Sequence, residues 1–532
     1  MNKLFLPLFA FVLLAASANA QIVTPTVKWK QCYGGSISDY MASVKPTPDK
    51  GFVMVGYIES NDSLINGSNH GSSDIWVVKT DSDGKVQWSK ALGGNDAELA
   101  TDIQLTKDGG YIIAGSTESF PASGNVTGSK GASDAWIVKL RSGGQIQWTR
   151  CYGGINDELA KSIVPTIDGG YIFAGSSTKV NGDVTGTHGN SGATDFWVVK
   201  TDSEGYIKWE KSYGGESGDD ASSIWQTKDY GYIVSGTTIS NDSIGDVTRP
   251  KGSEDIWVIK INSSGVLQWQ KTLGGTGSDF ATEMLPTNDG GYIVAGNSGS
   301  ADSDVTASKG KQDYWLVKLD DKANIAWQKS YGGFEDEFLK DMERTSDGGY
   351  FLTGYSTSTQ GDVGSTKGAE DYWVIKLDSN GLVHWKKTWG GTSGDIASTG
   401  VQTHDGGYAV GGYSYSNDID LSGNNGEYDY WVLRLTPDGS APIGSNSAIN
   451  IAETINATIY PNPSQGQFFI KGTSLSKVEI FDAVGKLVGT SSLTGDNSSQ
   501  GVNVQYLPNG VYFARVYDNS NQSATVKIMV QQ

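Results

Sequence analysis

The chain has 532 residues, among them 71 Gly, 16 Trp, 25 Tyr and only 13 Pro. Glycine at nearly twice its usual ~7%, beside 37% hydrophobic residues, excludes a disordered or collagen-like chain and points to many short strands joined by glycine turns. A formal charge of −19 has the wrong sign for a nucleic-acid binder; two Cys and four His exclude a disulfide framework and leave little for a histidine metal site or catalytic array.

Met1 to Ala20 carries Lys3, an apolar run from Leu4 to Ala16 and the small-x-small site Ala18-Asn19-Ala20. This is the pattern of a cleaved secretory signal peptide, 1–20, and no stretch of the chain has the roughly 20 apolar residues of a spanning helix. The mature chain is expected to be exported, with no transmembrane segment.

From Val27 to Gly439 the sequence repeats itself. One Trp series stands at Trp29, Trp88, Trp148, Trp209, Trp269, Trp327 and Trp385, and a second, within Asp-x-Trp, at Trp76, Trp136, Trp197, Trp257, Trp315, Trp373 and Trp431. The unit runs Trp-x-x-x-(Tyr/Leu/Trp)-Gly-Gly, an acid, Asp-Gly-Gly-Tyr or a variant, Gly, then Asp-x-Trp-x-x-(Lys/Arg). Seven copies fill 413 residues, 59 each. Periodicity within a unit is two, so strands are expected: 159–166, 171–175, 195–201 and 206–213 in one copy, with Asp168-Gly169-Gly170 as a hairpin turn. Four antiparallel strands make one propeller blade, with the large Trp side chains filling the space between blades. The region opens on a lone fourth strand around Trp29 and closes on a three-strand set near Trp431. The first strand should therefore complete the last blade, giving an all-β, seven-bladed β-propeller over 21–439. Unit length, copy number and repeated words resemble the seven-bladed propeller repeats of secreted bacterial proteins, a class that implies architecture and spans many ligands.

Within the propeller an acid follows each Gly-Gly by four residues: Asp39, Glu98, Glu158, Asp219, Asp279, Glu337 and Asp395. Placed near the channel mouth on the long-loop face, seven carboxylates would attract a cation or cationic ligand; the competing reading is that each caps its own loop. Asp74, Asp134, Asp195, Asp255, Asp313, Asp371 and Asp429 open the third strands and are read as structural, pairing with the Lys or Arg five residues on or capping a turn. Loops at Gly182–Thr185, Gly245–Thr248, Ser303–Thr306 and Gly361–Gly364 are rich enough in oxygen for Ca²⁺, though the helix-flanked calcium loop is absent and no cofactor is otherwise called for. Asp62-Ser63-Leu64 and Asp242-Ser243-Ile244 match a short bacterial O-glycosylation word. Trp225 breaks the pattern at a position held elsewhere by Lys45, Gln104, Val164, Leu285, Glu343 and Val401; with Tyr230 in the irregular turn Asp229-Tyr230-Gly231, it nominates blade 4 as a carbohydrate-stacking surface. No Gly-x-Ser-x-Gly elbow, Walker loop or His-Glu-x-x-His word occurs, so no catalytic residue is assigned, while paired carboxylates for glycoside hydrolysis stay open. Cys32 and Cys151 fall at equivalent positions of different blades, too far apart to bridge.

Residues 440–457 have linker composition, and alternating strands from Thr458 to Gln532 suggest a small immunoglobulin-like β-sandwich. Tyr460-Pro461-Asn462-Pro463, Gly466, Asp482-x-x-Gly485, Gly510-x-Tyr512 and Lys527 near the terminus resemble the type A sorting domain of the type IX secretion system of Bacteroidota. That resemblance implies passage through the periplasm, transfer across the outer membrane by the type IX machinery, removal of the domain by a sortase-like peptidase, and anchoring at the cell surface or release. The expected function is a non-enzymatic binding or adhesion propeller with a glycan or protein ligand. A propeller hydrolase or lyase acting on polysaccharide, and a structural surface-layer protein, are the alternatives.

Overall fold

The computed structural model describes residues 23–61, 69–178, 181–186, 188, 192–240 and 245–439 of a larger unit. Of a smaller unit it describes 458–460, 464, 466–471, 475–482, 486–493, 500–518 and 523–531. The expected leader, the linker at 440–457 and the two O-glycosylation words lie outside the described residues. Contacts divide the chain into compact units Met1–Gly444 and Ser445–Gln532. No helix among the described residues is long and apolar enough to cross a membrane.

The larger unit is all β: seven four-stranded antiparallel sheets. Blade 1 runs Asp39–Pro46, Phe52–Ile58, Asp74–Thr80 and Val86–Leu92, and blades 2 to 6 repeat this plan, opening at Glu98, Glu158, Asp219, Asp279 and Glu337. Blade 7 takes Asp395–Gln402, Tyr408–Ser414 and Asp429–Leu435, and its fourth strand is Val27–Tyr33 from the start of the chain. The expectation that the first strand completes the last blade is met by this pairing, which sets Cys32 opposite Trp431.

Burial explains the sequence of each strand. Third strands are covered on both faces and are apolar except for the opening Asp, the Lys or Arg and, in blades 1 and 3, a closing Thr; Ile256, Val258 and Ile259 alone each contribute roughly 1.5–3 kcal/mol by leaving water. Fourth strands are half-exposed edges. Neighbouring blades share their cores, as where Ile172 and Val198 of blade 3 join Val234 and Trp257 of blade 4. Fourth-strand Trp rings pack on the second strand of the next blade, Trp88 on Tyr111 at 6.1 Å and Trp148 on Tyr171 at 6.0 Å. Blade 7 makes the same contact with blade 1, Trp29 on Phe52 at 5.9 Å. Likewise the Tyr430 hydroxyl donates to Trp76 O as Tyr372 does to Trp431 O.

The Asp of each Asp-x-Gly turn pairs with the third-strand base of its own blade: Lys79–Asp49 at 2.8 Å, Lys139–Asp108 at 2.9 Å, Lys376–Asp347 at 2.7 Å, and Arg434 with Asp405. The repeated spacing of Asp-x-Trp-x-x-Lys thus reflects two separate partnerships. The opening Asp instead caps the preceding loop, as Asp134 does for the Lys130 N–H at 2.7 Å.

The smaller unit has a three-stranded sheet, Thr458–Tyr460, Gln467–Lys471 and Gln500–Asn503, and a four-stranded sheet in which Leu475–Phe481 and Gly510–Asp518 lie between Leu487–Ser492 and Ser523–Val530. Phe468, Ile470, Val478, Ile480, Ala514 and Ile528 form their common core. Within it the Tyr512 hydroxyl donates to Pro508 O at 2.9 Å, Gly466 takes φ +83°, and Asp482 closes a turn by accepting from Lys486 N–H at 2.9 Å. Tyr460 stacks beside Phe469, and Lys527 lies on the last strand. Pro461, Asn462, Pro463 and Gly485 lie outside the described residues.

Candidate functional site

The seven acids that follow Gly-Gly begin the inner strands but do not line the channel. Asp39, Glu98, Glu158, Asp219, Asp279, Glu337 and Asp395 are at most 1% exposed. Each accepts the N–H of the second glycine four residues earlier: Gly35 to Asp39, Gly94 to Glu98, Gly154 to Glu158 and Gly215 to Asp219 at 2.7 Å, Gly275 to Asp279 at 2.8 Å, Gly333 to Glu337 at 2.6 Å and Gly391 to Asp395 at 2.7 Å. Most also take a hydroxyl from the second strand or the loop after it, as Glu98 does from Thr117 at 2.6 Å. Burial and a turn that needs capping consume these carboxylates, so they are unavailable to a ligand. Three of the four loop aspartates considered for calcium, Asp183, Asp304 and Asp362, pair with Lys130, Lys251 and Lys309 of the preceding blade, while the fourth, Asp246, lies 4.0 Å from His188.

The open site is the central channel, a cavity of about 720 Å³ walled by the seven inner strands. Every inner strand carries a β-bulge at the same place, between Met41 and Ser43, Ala100 and Asp102, Ala160 and Ser162, Ala221 and Ser223, Ala281 and Glu283, Leu339 and Asp341, and Ala397 and Thr399. A bulge adds one unpaired residue and breaks the alternation of sides, so it puts consecutive residues on the channel wall. The scaffold is sevenfold; these residues are not. The bulge residues are Ala42, Thr101, Lys161, Ser222, Thr282, Lys340 and Ser398, and the next position is hydroxyl or acid, Ser43, Asp102, Ser162, Ser223, Glu283, Asp341 and Thr399. Oxygen is needed there to meet the neighbouring strand: Asp102 accepts from Ile163 N–H at 3.1 Å, Asp341 from Gly400 N–H at 2.9 Å, and Thr399 from Val44 N–H at 3.3 Å.

Four carboxylates, Asp102, Glu283, Asp341 and Glu343, act on Lys45; their combined charge outweighs burial and holds its ammonium above the usual range. Burial pushes Glu283 up to about 8 against hydrogen bonds from Ser223 at 2.5 Å and Trp225 at 2.9 Å, and Glu343 up to about 7 despite Lys45. Trp225 is therefore a half-buried part of the channel wall whose indole N–H holds Glu283. Tyr230 is 53% exposed in the turn beyond the strand, outside the cavity wall. The two do not form one stacking surface, because strand direction carries one inward and the turn carries the other out.

An aromatic sector unforeseen in the sequence reading lies at the wall of blades 6, 7 and 1. The second residue of each inner strand pairs across with the sixth of its neighbour: Tyr40 with Tyr57, Phe338 with Tyr355, Ile396 with Tyr413. In blades 2 to 5 the partner is Ser116, Ser176, Thr237 or Asn297. Tyr40 stacks on Tyr57 at 4.9 Å, meets Tyr413 edge-on at 4.9 Å and lies 5.4 Å from Tyr428. Phe338 and Tyr413 line the cavity with Lys161 and Lys340. Comparing the sixth residue of the second strands across copies would have exposed this sector.

A curated relative, the regulatory protein FlaEY of Caulobacter vibrioides, is 23% identical over 408 residues, covering 69% of this chain and 42% of its own, so the chain spans less than half of that relative. Among solved structures, the Neurospora crassa Pan2 WD40 domain is similar at TM-score 0.42 and 10% identity, over 78% of this chain and 96% of that one. Sqt1 from Chaetomium thermophilum is similar at 0.37 and 10%, over 77% and 100%. Residues 458–531 match the secretion system C-terminal sorting domain, and with it the chain carries the signal for export by type IX secretion to the cell surface or extracellular space.

Proposed function

We propose that this chain is an exported, non-enzymatic binding protein that takes its ligand at the mouth of the propeller channel. One observation carries the reading: a scaffold repeated seven times encloses a channel wall whose charged and aromatic residues differ from blade to blade. Structural residues follow the repeat, whereas recognition of one ligand requires departures from it. In this reading the leader takes the chain to the periplasm. The sorting domain then engages the type IX machinery, a sortase-like peptidase removes it, and the propeller works anchored at the surface or released.

A polysaccharide hydrolase or lyase is the second reading, favoured by Glu283 and Glu343. Burial lifts both into the neutral range, Glu283 to about 8 and Glu343 to about 7, so Glu283 mostly and Glu343 in part hold a proton at neutral pH, as a general acid requires. A glycan array probed with the mature chain, run beside reducing-sugar release from the same glycans, separates the two; binding without turnover is expected, and turnover overturns the first reading. Deleting Thr458–Gln532 in the host is expected to keep the propeller inside the cell. Its undiminished appearance outside overturns the export route.

A further inference from the structure

We propose that the channel mouth binds a carboxylated sugar, a uronate residue of an acidic oligosaccharide, with its ring against the aromatic wall and its carboxylate between Lys161 and Lys340. This rests on the binding reading above and names its ligand class.

The two lysines occupy the bulge position. At that position Thr101, Ser222 and Thr282 turn their hydroxyls back onto the carbonyls of Ala160 (2.7 Å), Ala281 (3.0 Å) and Leu339 (3.1 Å) in the adjoining strands. A lysine has no short oxygen to fold back; its chain extends into the cavity. Both line that cavity, from blades 3 and 6, and among the described residues neither forms an ion pair. Burial weakens both ammoniums as bases, outweighing the charge of Asp220 at Lys161, and the charge of Lys161 weakens Lys340 further. Two like charges facing one cavity are relieved by a single anion.

The aromatic wall belongs to the same site. Lys340 Nζ stands 5.6 Å from the centre of the Tyr355 ring, which lies 5.3 Å from Phe338. Tyrosine and phenylalanine faces suit the C–H face of a pyranose, with phenol hydroxyls at the edge for its oxygens. One residue further along the strand stand Asp102 and Asp341, two acids against the single ammonium of Lys45, with the largely protonated Glu283 and the partly protonated Glu343 beside them. A strand advances about 3.3 Å per residue, so a second negative charge reaching deeper meets repulsion. The cavity thus favours one isolated carboxylate on a neutral ring over a polyanion.

The test is calorimetric titration of the full mature chain with short neutral oligosaccharides that carry a single glucuronate or galacturonate residue, their carboxyl-reduced counterparts, and a sulfated oligosaccharide. The expected result is binding of a uronate oligomer that weakens about 30-fold in Lys161→Met/Lys340→Met, survives in Lys161→Arg/Lys340→Arg, and is lost about equally for acidic and reduced oligomers in Tyr413→Ala. Unchanged thermal midpoints exclude misfolding as the cause, and a midpoint shift in the Met pair is answered by the Arg pair. Equal binding of acidic and reduced oligomers, or tighter binding of the sulfated one, overturns the ligand class while leaving a binding protein. Binding of no uronate oligomer also overturns it, and release of reducing ends during titration overturns the binding reading instead.

Discussion

Glu158 and Asp134 close on Gly153 from two sides, one carboxylate from the inner strand of blade 3 and the other from the third strand of blade 2. Gly153 takes φ +151°, and a Cβ on it would collide with both carboxylates. The same wedge recurs at Gly93 and Gly274, so Gly-Gly is where two blades are pinned together. Gly153→Ala is expected to cost about 3 kcal/mol, from strain and from displacing buried caps. Gly169→Ala, at φ +86° with open space around its Cβ, should cost only about 1 kcal/mol. Urea denaturation of the two variants checks the difference, and equal midpoints would refute the wedge.

Burial gives these caps a pH signature. Glu158 is pushed up to about 7, with the charge of Asp134 adding to burial, and Asp219 and Asp395 to about 6. Their folded values exceed those of an unfolded carboxyl, near 4, so between the two the folded state holds more protons. The stabilisation is complete below about pH 4 and is lost as pH rises through 6 to 7. The turn aspartates act oppositely: hydrogen bonds and the adjacent lysines hold Asp108 and Asp289 at about 2, so their contribution is present above the unfolded value and lost as pH falls toward 2. Thermal midpoints should therefore peak in mildly acidic buffer, and Asp219→Asn should flatten the decline between pH 4 and 7. A peak above pH 7 would contradict this.

The pair of Lys139 and Asp108 is lopsided, with the lysine side chain 2% exposed and the aspartate 52%. Removing the aspartate strands a buried ammonium on the Leu140 carbonyl, whereas removing the lysine leaves a carboxylate that water reaches. Asp108→Ala is accordingly expected to lower the melting temperature more than Lys139→Met, by about 1–3 kcal/mol in stability. Scanning calorimetry decides the order, and the reverse order would show that the lysine is solvated in solution.

Much of this architecture is legible in the residues because packing repeats. Trp76 and its six counterparts mark third strands, Gly109 and Gly169 mark hairpins, and the acids four residues after Gly-Gly mark corners; each answers a need every blade shares. The channel is not legible in that way. Whether Lys161 or Lys340 points inward depends on a bulge that adds no residue to the spacing of the words, and alternation alone misassigns the side on which Asp102 or Asp341 emerges. Trp225 stands out as a departure, yet its role follows from Glu283, which lies 58 residues away and meets it only across the boundary between blades 4 and 5. Tyr57, Tyr355 and Tyr413 were hidden by being ordinary strand residues, and only their absence from blades 2 to 5 gives them away.

The strand that joins the ends of the propeller offers the most direct test of the ring. Val27–Tyr33 supplies the outer edge of blade 7 by pairing with Asp429–Leu435, packs Trp29 on Phe52 of blade 1, and lets the Tyr33 hydroxyl donate to Gly84 O at 2.6 Å. Lys30 reaches the Asp420 carbonyl and Cys32 lies against Ser422. Without it, the apolar strand holding Tyr430, Val432 and Leu433 becomes an edge with unpaired N–H and C=O groups, a template for pairing with another chain. A mature chain begun at Gly34 is expected to lose protection from hydrogen exchange at 429–435 first, and to form dimers or larger species by light scattering. A synthetic peptide spanning 21–35 should restore the monomer, since it offers the same ladder and the same Trp29. Unchanged exchange in the shortened chain would mean that blade 7 holds without its fourth strand, and that the contacts between blades 7 and 1 through Tyr40, Tyr413 and Tyr430 suffice to join the ends.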